Sequence, residues 1–305
     1  MSDLEKHQKL MKRAGAASVF VAATLIIIKV IAWNRTSSVS IFASLIDSGM
    51  DALASIINLF AIRYALEPPD DQHRYGHGKA EAIAGLAQAS FIAGSAVILL
   101  LNAVDRIVNP RELQNIDVGI GVMSLSLGLT VTLVLYQRHV AKVTGSTAIK
   151  ADALHYLTDI LSNGATIVAL YLATIGWPML DVFIGFAIGL YILHSAWEIV
   201  TESLNMLLDR ELPDELKKKI SDVVLSHEKV HGFHDLRTRK AGIMQYVQFH
   251  LELDDDLTII EAHDISEEVE ELMIKNFPNT ETIVHIDPKS LYERKPREGF
   301  NESWS

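Results

Sequence analysis

Six apolar stretches before residue 210 constrain this chain more than any other feature. They run over about 14–33, 40–66, 80–108, 118–140, 147–173 and 178–208, and each reaches the ~20 residues a helix needs to cross a bilayer. The basic residues Lys6, Lys9, Lys12 and Arg13 lead into the first stretch, which is too long for a signal-peptide core and reads as a retained helix. Six crossings put both termini on one side. Inner segments then hold ten Lys and Arg, and outer loops hold Arg35, Arg106 and Arg111, so the positive-inside bias places both termini in the cytoplasm.

Beyond Leu212-Pro213 the pattern becomes that of a small soluble domain. Residues 214–226 form an amphipathic helix pattern, with Leu216, Ile220, Val223 and Val224 at helical spacing. Residues 230–239 and 243–253 read as strands joined at Gly242, and the second sets Tyr246, Gln248, His250 and Glu252 on one face. A helix over 257–277 and a strand over 281–286 complete an αββαβ order. The fold expected is an all-α membrane domain of six transmembrane helices plus an α+β cytoplasmic domain, with an open-faced sheet of the metallochaperone kind. Its boundaries are a cytoplasmic segment over 1–13, the membrane domain over 14–208, a linker over 209–212, the cytoplasmic domain over 213–290 and a flexible tail over 291–305. The open sheet edge is a ready place for two copies to meet.

Charge narrows the partners. From Pro213 onward 12 Lys and Arg face 20 Asp and Glu, the wrong sign for nucleic acid. The chain has no cysteine, so any metal is held by His, Asp or Glu.

The membrane stretches contain two ionisable pairs spaced for one helix face, Asp47 with Asp51 and His155 with Asp159. Ser55 and Asn58 continue the stripe of the first pair. A charged side chain inside a bilayer costs about 3 kcal/mol or more, so a ligand or partner must compensate. Asp51 lies about 16 Å into its span and Asp159 about 18 Å into its own, at 1.5 Å per residue. Both pairs therefore sit near the middle of a ~30 Å layer. Three carboxylates and one imidazole make a tetrahedral N/O set, which suits Zn²⁺. A midplane site with several ionisable ligands is what alternating access requires.

Asp47-Ser-Gly-Met-Asp51 and His155-Tyr-Leu-Thr-Asp159, on spans two and five of six, resemble the cation diffusion facilitator family. The likeness continues through His73-Arg-Tyr-Gly-His77-Gly-Lys79-Ala-Glu81 and the cytoplasmic domain, and is nearest to bacterial zinc and ferrous-iron efflux pumps. It implies a homodimer in a bacterial inner membrane, exporting Zn²⁺ in exchange for protons, with Cd²⁺ and Fe²⁺ as the other candidate ions. It implies that Asp47, Asp51, His155 and Asp159 bind the transported ion. Similar transporters carry a metal site in the loop after span two, which here offers Asp70, His73 and His77; Arg74 stands where many relatives have Pro. In the cytoplasmic domain the resemblance supports a binuclear site near the dimer interface, drawn from His234, His250, His263, His285 and a bridging Asp287. Lys79 and Asp209, at the inner ends of spans three and six, form a candidate salt bridge between the membrane and cytoplasmic portions. Gly185 and Gly189, and the stripe Gly85, Ala89, Ala93, favour close helix packing.

Two other functions fit the chain less well. A membrane-embedded metal-dependent hydrolase needs an open coordination position, which four protein ligands do not leave, and the chain has no H-E-x-x-H. A metal sensor has no need of a midplane quartet. In a transport cycle, His155 is the natural proton-coupled ligand, because an imidazole's reference pKa of about 6.5 lies near working pH.

Overall fold

The computed structural model describes residues 3–36, 39–108, 119–174 and 178–290. The tail at 291–305 and the loop at 109–118, with Arg111, lie outside them. Two compact units divide near residue 204.

The N-terminal unit holds six long helices: α1 (Asp3–Thr36), α2 (Val39–Ala65), α3 (Ala80–Val108), α4 (Gly119–Thr144), α5 (Thr147–Thr174) and α6 (Pro178–Leu207). Among the described residues, four of them are long and apolar enough to cross a membrane, in windows Leu4–Arg35, Ser44–Ala65, Ala80–Leu101 and Phe183–Leu207. No more than a third of any window is buried, and Phe20, Phe60, Phe183 and Trp197 face outward. So continuous an apolar exterior is a surface for lipid. Both α4 and α5 match these helices in length, and α5 carries Lys150, Asp152, His155 and Asp159 in its first half.

Small residues let the helices close. Ile92 and Ala96 of α3 pack on Ile192 and Ala196 of α6, and Ala89 packs on Ala151 and Ile199. A Cβ on Gly85 would come within 2.6 Å of Ser203 Oγ, and one on Gly189 within 2.7 Å of Leu100, so glycine sets how near α3 and α6 approach. Buried Glu81, in the first turn of α3, accepts from the Ser146 hydroxyl and, at 3.2 Å, from the Ala148 backbone N–H. It thereby satisfies one of the N-terminal backbone donors of α5, the helix that carries His155 and Asp159.

The C-terminal unit holds α7 (Asp214–Val224), β1 (Gly232–Ala241), β2 (Met244–Leu253), α8 (Ile259–Asn276) and β3 (Thr280–Pro288), the expected αββαβ order. Strand order is β1-β2-β3, antiparallel then parallel. The parallel pair requires a crossover, and α8 supplies it. Alternate residues Val247, Phe249, Leu251 and Leu253 of β2 pack on Ile220 and Val224 of α7 and on Ile265, Val269 and Met273 of α8. That leaves the other face of the sheet free of helices from this chain's core cluster. Thr258 starts α8 with a capping box closed by Glu261.

Candidate metal centres

Three groups of His and carboxylate side chains bring their ligand atoms within 4.8 Å of one another among the described residues.

The first joins Asp51 of α2 to His155 and Asp159 of α5. One turn of helix separates His155 from Asp159, and His155 Nε2 lies 3.2 Å from Asp51 Oδ1. Asp47, a turn earlier on α2, stands outside this close group but lines the same cavity of about 430 Å³. The expected quartet is thus three groups in contact distance and a fourth on the cavity wall. Behind them, the hydroxyls of Ser55 and Tyr156 share a 2.7 Å hydrogen bond and are buried, fixing α2 against α5. Asn58 points its amide toward the Ala148 carbonyl, 3.5 Å away.

One cavity residue departs from its sequence reading. Lys29, near the end of α1, reads from sequence as a snorkelling lysine. In the structure its ammonium donates to the Ser44 carbonyl at 3.0 Å and to Ser48 Oγ at 2.6 Å, and its side chain lines the cavity with all four candidate ligands. A cation therefore does stand beside the carboxylates. Nothing in the spacing of α1 alone marks which way that lysine turns.

The second group is the loop between α2 and α3. Asp70 Oδ1 accepts from the backbone N–H of Gln72 at 2.8 Å and of His73 at 2.6 Å, and Gly76 at φ +74° turns the chain back. His77 Nε2 then lies 3.3 Å from Asp70 Oδ2 and 3.2 Å from His73 Nδ1. The His73 N–H, chiefly, holds the Asp70 carboxyl below the usual carboxylate range. Arg74 pairs with Asp71 at 2.9 Å and leaves the three ligands free. Lys79 ends this loop, while Asp209, in the other unit, lies 3.5 Å from Arg239.

The third group lies on the sheet face away from α7 and α8. Strand register puts His234, His250 and His285 side by side on β1, β2 and β3, and Glu252 beside Asp287 two residues on. Ligand atoms of His234, His250 and Asp287 converge, with His250 Nδ1 2.7 Å and His234 Nε2 3.4 Å from Asp287 Oδ2. His285 Nε2 reaches the other oxygen, Oδ1, at 3.4 Å, so Asp287 stands between two sets of imidazoles. A register shift after His234, with Asp235 at φ +51°, bends β1 there. Burial pushes the Asp287 carboxyl up, but the hydrogen bond from His250 and the three imidazoles outweigh it and hold the group below its ordinary value.

His263 is not among these residues. It sits on α8, in the layer that covers the opposite face of the sheet, largely exposed and 3.3 Å from Glu267. Glu252 is the residue the sequence reading passed over. Its Oε1 lies 2.8 Å from His234 Nδ1, which turns the other ring nitrogen toward Asp287, as outer carboxylates orient metal-binding imidazoles. Its signal was present, since Glu252 alternates onto the His250 face. His227 and His231 are occupied elsewhere, by Glu268 and Asp254, each at 2.7 Å.

Residues 16–208 match the model of the cation efflux transmembrane domain, and residues 212–289 that of the cation efflux protein cytoplasmic domain, ZT_dimer. The cation-efflux pump FieF of Citrobacter koseri is 44% identical over 295 residues, covering 97% of each chain. FieF of Salmonella paratyphi A is 43% identical over the same span, again 97% of each. A solved structure of CzrB in its zinc form is 30% identical over 27% of this chain and 94% of its own, with a TM-score of 0.26.

Proposed function

Because the chain belongs to the cation efflux family, whose members are membrane transporters of divalent cations and not enzymes, we propose that it exports Zn²⁺ from the cytoplasm in exchange for protons. Asp47, Asp51, His155 and Asp159 are the proposed ligands of the ion in transit. The observation that carries this reading is the convergence of Asp51, His155 and Asp159 within 4.8 Å, in a cavity that Asp47 also lines. An imidazole among carboxylates favours Zn²⁺ over the hard ions Mg²⁺ and Mn²⁺, and leaves Cd²⁺ and Fe²⁺ as competitors.

Exchange follows from ligand chemistry. Carboxylate and imidazole bind metal only when deprotonated, so each arriving ion displaces protons, and protons returning from the other side expel it. The family's cytoplasmic domain is a dimerisation domain. Within it, His234, His250, His285 and Asp287 form the proposed regulatory site, and ions bound there strengthen the homodimer. His263 completes the proposed set with His285, and α8 carries it on the opposite face of its own sheet. Asp70, His73 and His77 form the proposed loop site. The protein is placed in the bacterial inner membrane with both termini cytoplasmic.

In proteoliposomes, an imposed pH gradient is expected to drive zinc uptake by the wild type and not by Asp51→Ala. Full uptake by that variant would defeat the assignment. Zinc and cadmium titrations of His155→Asp against wild type then test the ion: an all-oxygen site is expected to lose preference for zinc.

A further inference from the structure

Lys29 carries the wrong sign for a side chain that lines a cation cavity, and the packing of α1 puts it there. Ser18, Ala22, Leu25 and Lys29 follow one another at four, three and four residues, the spacing of one helix face, and the first three are buried. The Ser18 hydroxyl donates to Asp152 Oδ2 of α5 at 2.6 Å, and Gln137 Nε2 of α4 donates to the same oxygen at 2.6 Å and lies 2.7 Å from Ser18 Oγ. This buried junction fixes the rotation of α1. Lys29, about three turns further along the same face, is thereby turned into the bundle instead of snorkelling to the surface.

The two acceptors of its ammonium, the Ser44 carbonyl at 3.0 Å and Ser48 Oγ at 2.6 Å, are neutral and one turn apart on α2, with Asp47 between them in sequence. The cation is thus tied to the helix that carries Asp47 and Asp51 by groups that do not neutralise it. Ionisable side chains lining the cavity are Lys29, Asp47, Asp51, His155, Tyr156 and Asp159. When metal is bound, ligating carboxylates are anionic and imidazole is neutral. Three negative charges then stand against the single positive charge of Lys29, and one divalent ion brings the cavity to neutrality. Without the ammonium, the loaded cavity keeps a net negative charge among Leu53, Ile57 and Phe91, an apolar wall that screens little. An ion held by that surplus leaves slowly.

We propose that Lys29 is the residue that lets the ion leave: a fixed cation that ligates nothing, lowers the affinity of the cavity for divalent metal and thereby speeds release. The inference rests on the transport reading of this cavity and adds to it a determinant of turnover outside the ligand set.

Removing the charge while keeping the stem tests it. Zinc titration by calorimetry is made on purified full-length protein carrying His77→Ala and His250→Ala, which disable the loop and sheet groups. Adding Lys29→Met to that background is expected to tighten zinc binding by at least about 10-fold, while Lys29→Arg, which keeps the charge, stays within about 3-fold of the parent. In proteoliposomes, Lys29→Met is expected to lower both the half-saturating zinc concentration and the maximal rate, with Lys29→Arg restoring both. Loss of a merely structural contact would lower the rate without tightening binding. Unchanged or weaker zinc binding in Lys29→Met, or an equal gain in Lys29→Arg, overturns the proposal. Asp51→Ala in the same background separates the two claims. Zinc binding that survives Asp51→Ala defeats the ion site and this proposal with it, whereas binding lost in Asp51→Ala but unchanged in Lys29→Met defeats the role of Lys29 alone.

Discussion

Asp51, His155 and Asp159 in the bundle, and His234, His250 and Asp287 on the sheet, use the same side-chain types and the same crowding, within 4.8 Å in each group. Exposure hardly separates them, since the His155 side chain is 12% exposed and that of His250 is 17%. Their construction does. The bundle group is assembled from residues four apart on two helices, joined by one helix–helix contact. The sheet group comes from three strands, and each pair of neighbours is fixed by ladder register. Their surroundings differ as well. The bundle cavity is walled by Leu53, Ile57 and Phe91 with Lys29 as a nearby cation, while the sheet group is flanked by the anion Glu252. A site that must release its ion benefits from a competing cation and few supporting anions. A site that keeps its ion benefits from the reverse.

The sharpest way to break that contrast is to disable one member of each group. Asp159→Asn is expected to lower zinc flux in proteoliposomes by more than about 100-fold, beyond the range typical of supporting residues, while His250→Ala keeps flux within a few-fold of wild type. Equal losses would erase the division. Next in size, His250→Ala made in an Asp51→Ala background should weaken the remaining zinc affinity, read by calorimetric titration, by about 100-fold; an unchanged isotherm would remove the sheet as a binding site. Glu252→Gln should weaken the same affinity by about 10-fold, through His234 orientation, and leave the flux untouched.

Acid should separate the units further. In metal-free protein, Asp287, Glu261 and Glu268 are all held below their ordinary values, Glu261 chiefly by the Thr258 backbone N–H and Glu268 chiefly by His227. Groups depressed in this way stabilise the fold fully above an unfolded carboxylate pKa of about 4, and that stabilisation is lost as pH falls through their folded values. Circular dichroism should therefore show the sheet unit losing structure with falling acid pH, with no loss on raising pH from 5 to 7. The smallest effect is local. Thr258→Ala removes the capping box of α8 and should cost about 1 kcal/mol, seen as a lower midpoint in urea.

Much of this was legible in the chain itself, for physical reasons. Four-residue spacing places His155 and Asp159 on one face whatever the helix packs against, and strand parity separates Phe249, Leu251 and Leu253 from His250 and Glu252 before any partner strand is known. Partners across elements were not legible. Lys29 reaches the cavity because α1 happens to present that face to α2, and Gln137 meets Ser18 and Asp152 only once three helices are packed. His263 shows the converse: a histidine matched by residue type, yet carried on the helix that covers the other face of the sheet.

Glu81 bears on how such a bundle is made. The ribosome delivers α3 long before α5, so the carboxylate that receives the Ser146 hydroxyl and the Ala148 N–H is in place before its donors exist. A helix end buried in a bundle cannot wait on water for its hydrogen bonds. The order of synthesis thus matches the order of need: α3 arrives as a prepared socket, and the helix bearing half of the proposed ion site is seated as it emerges.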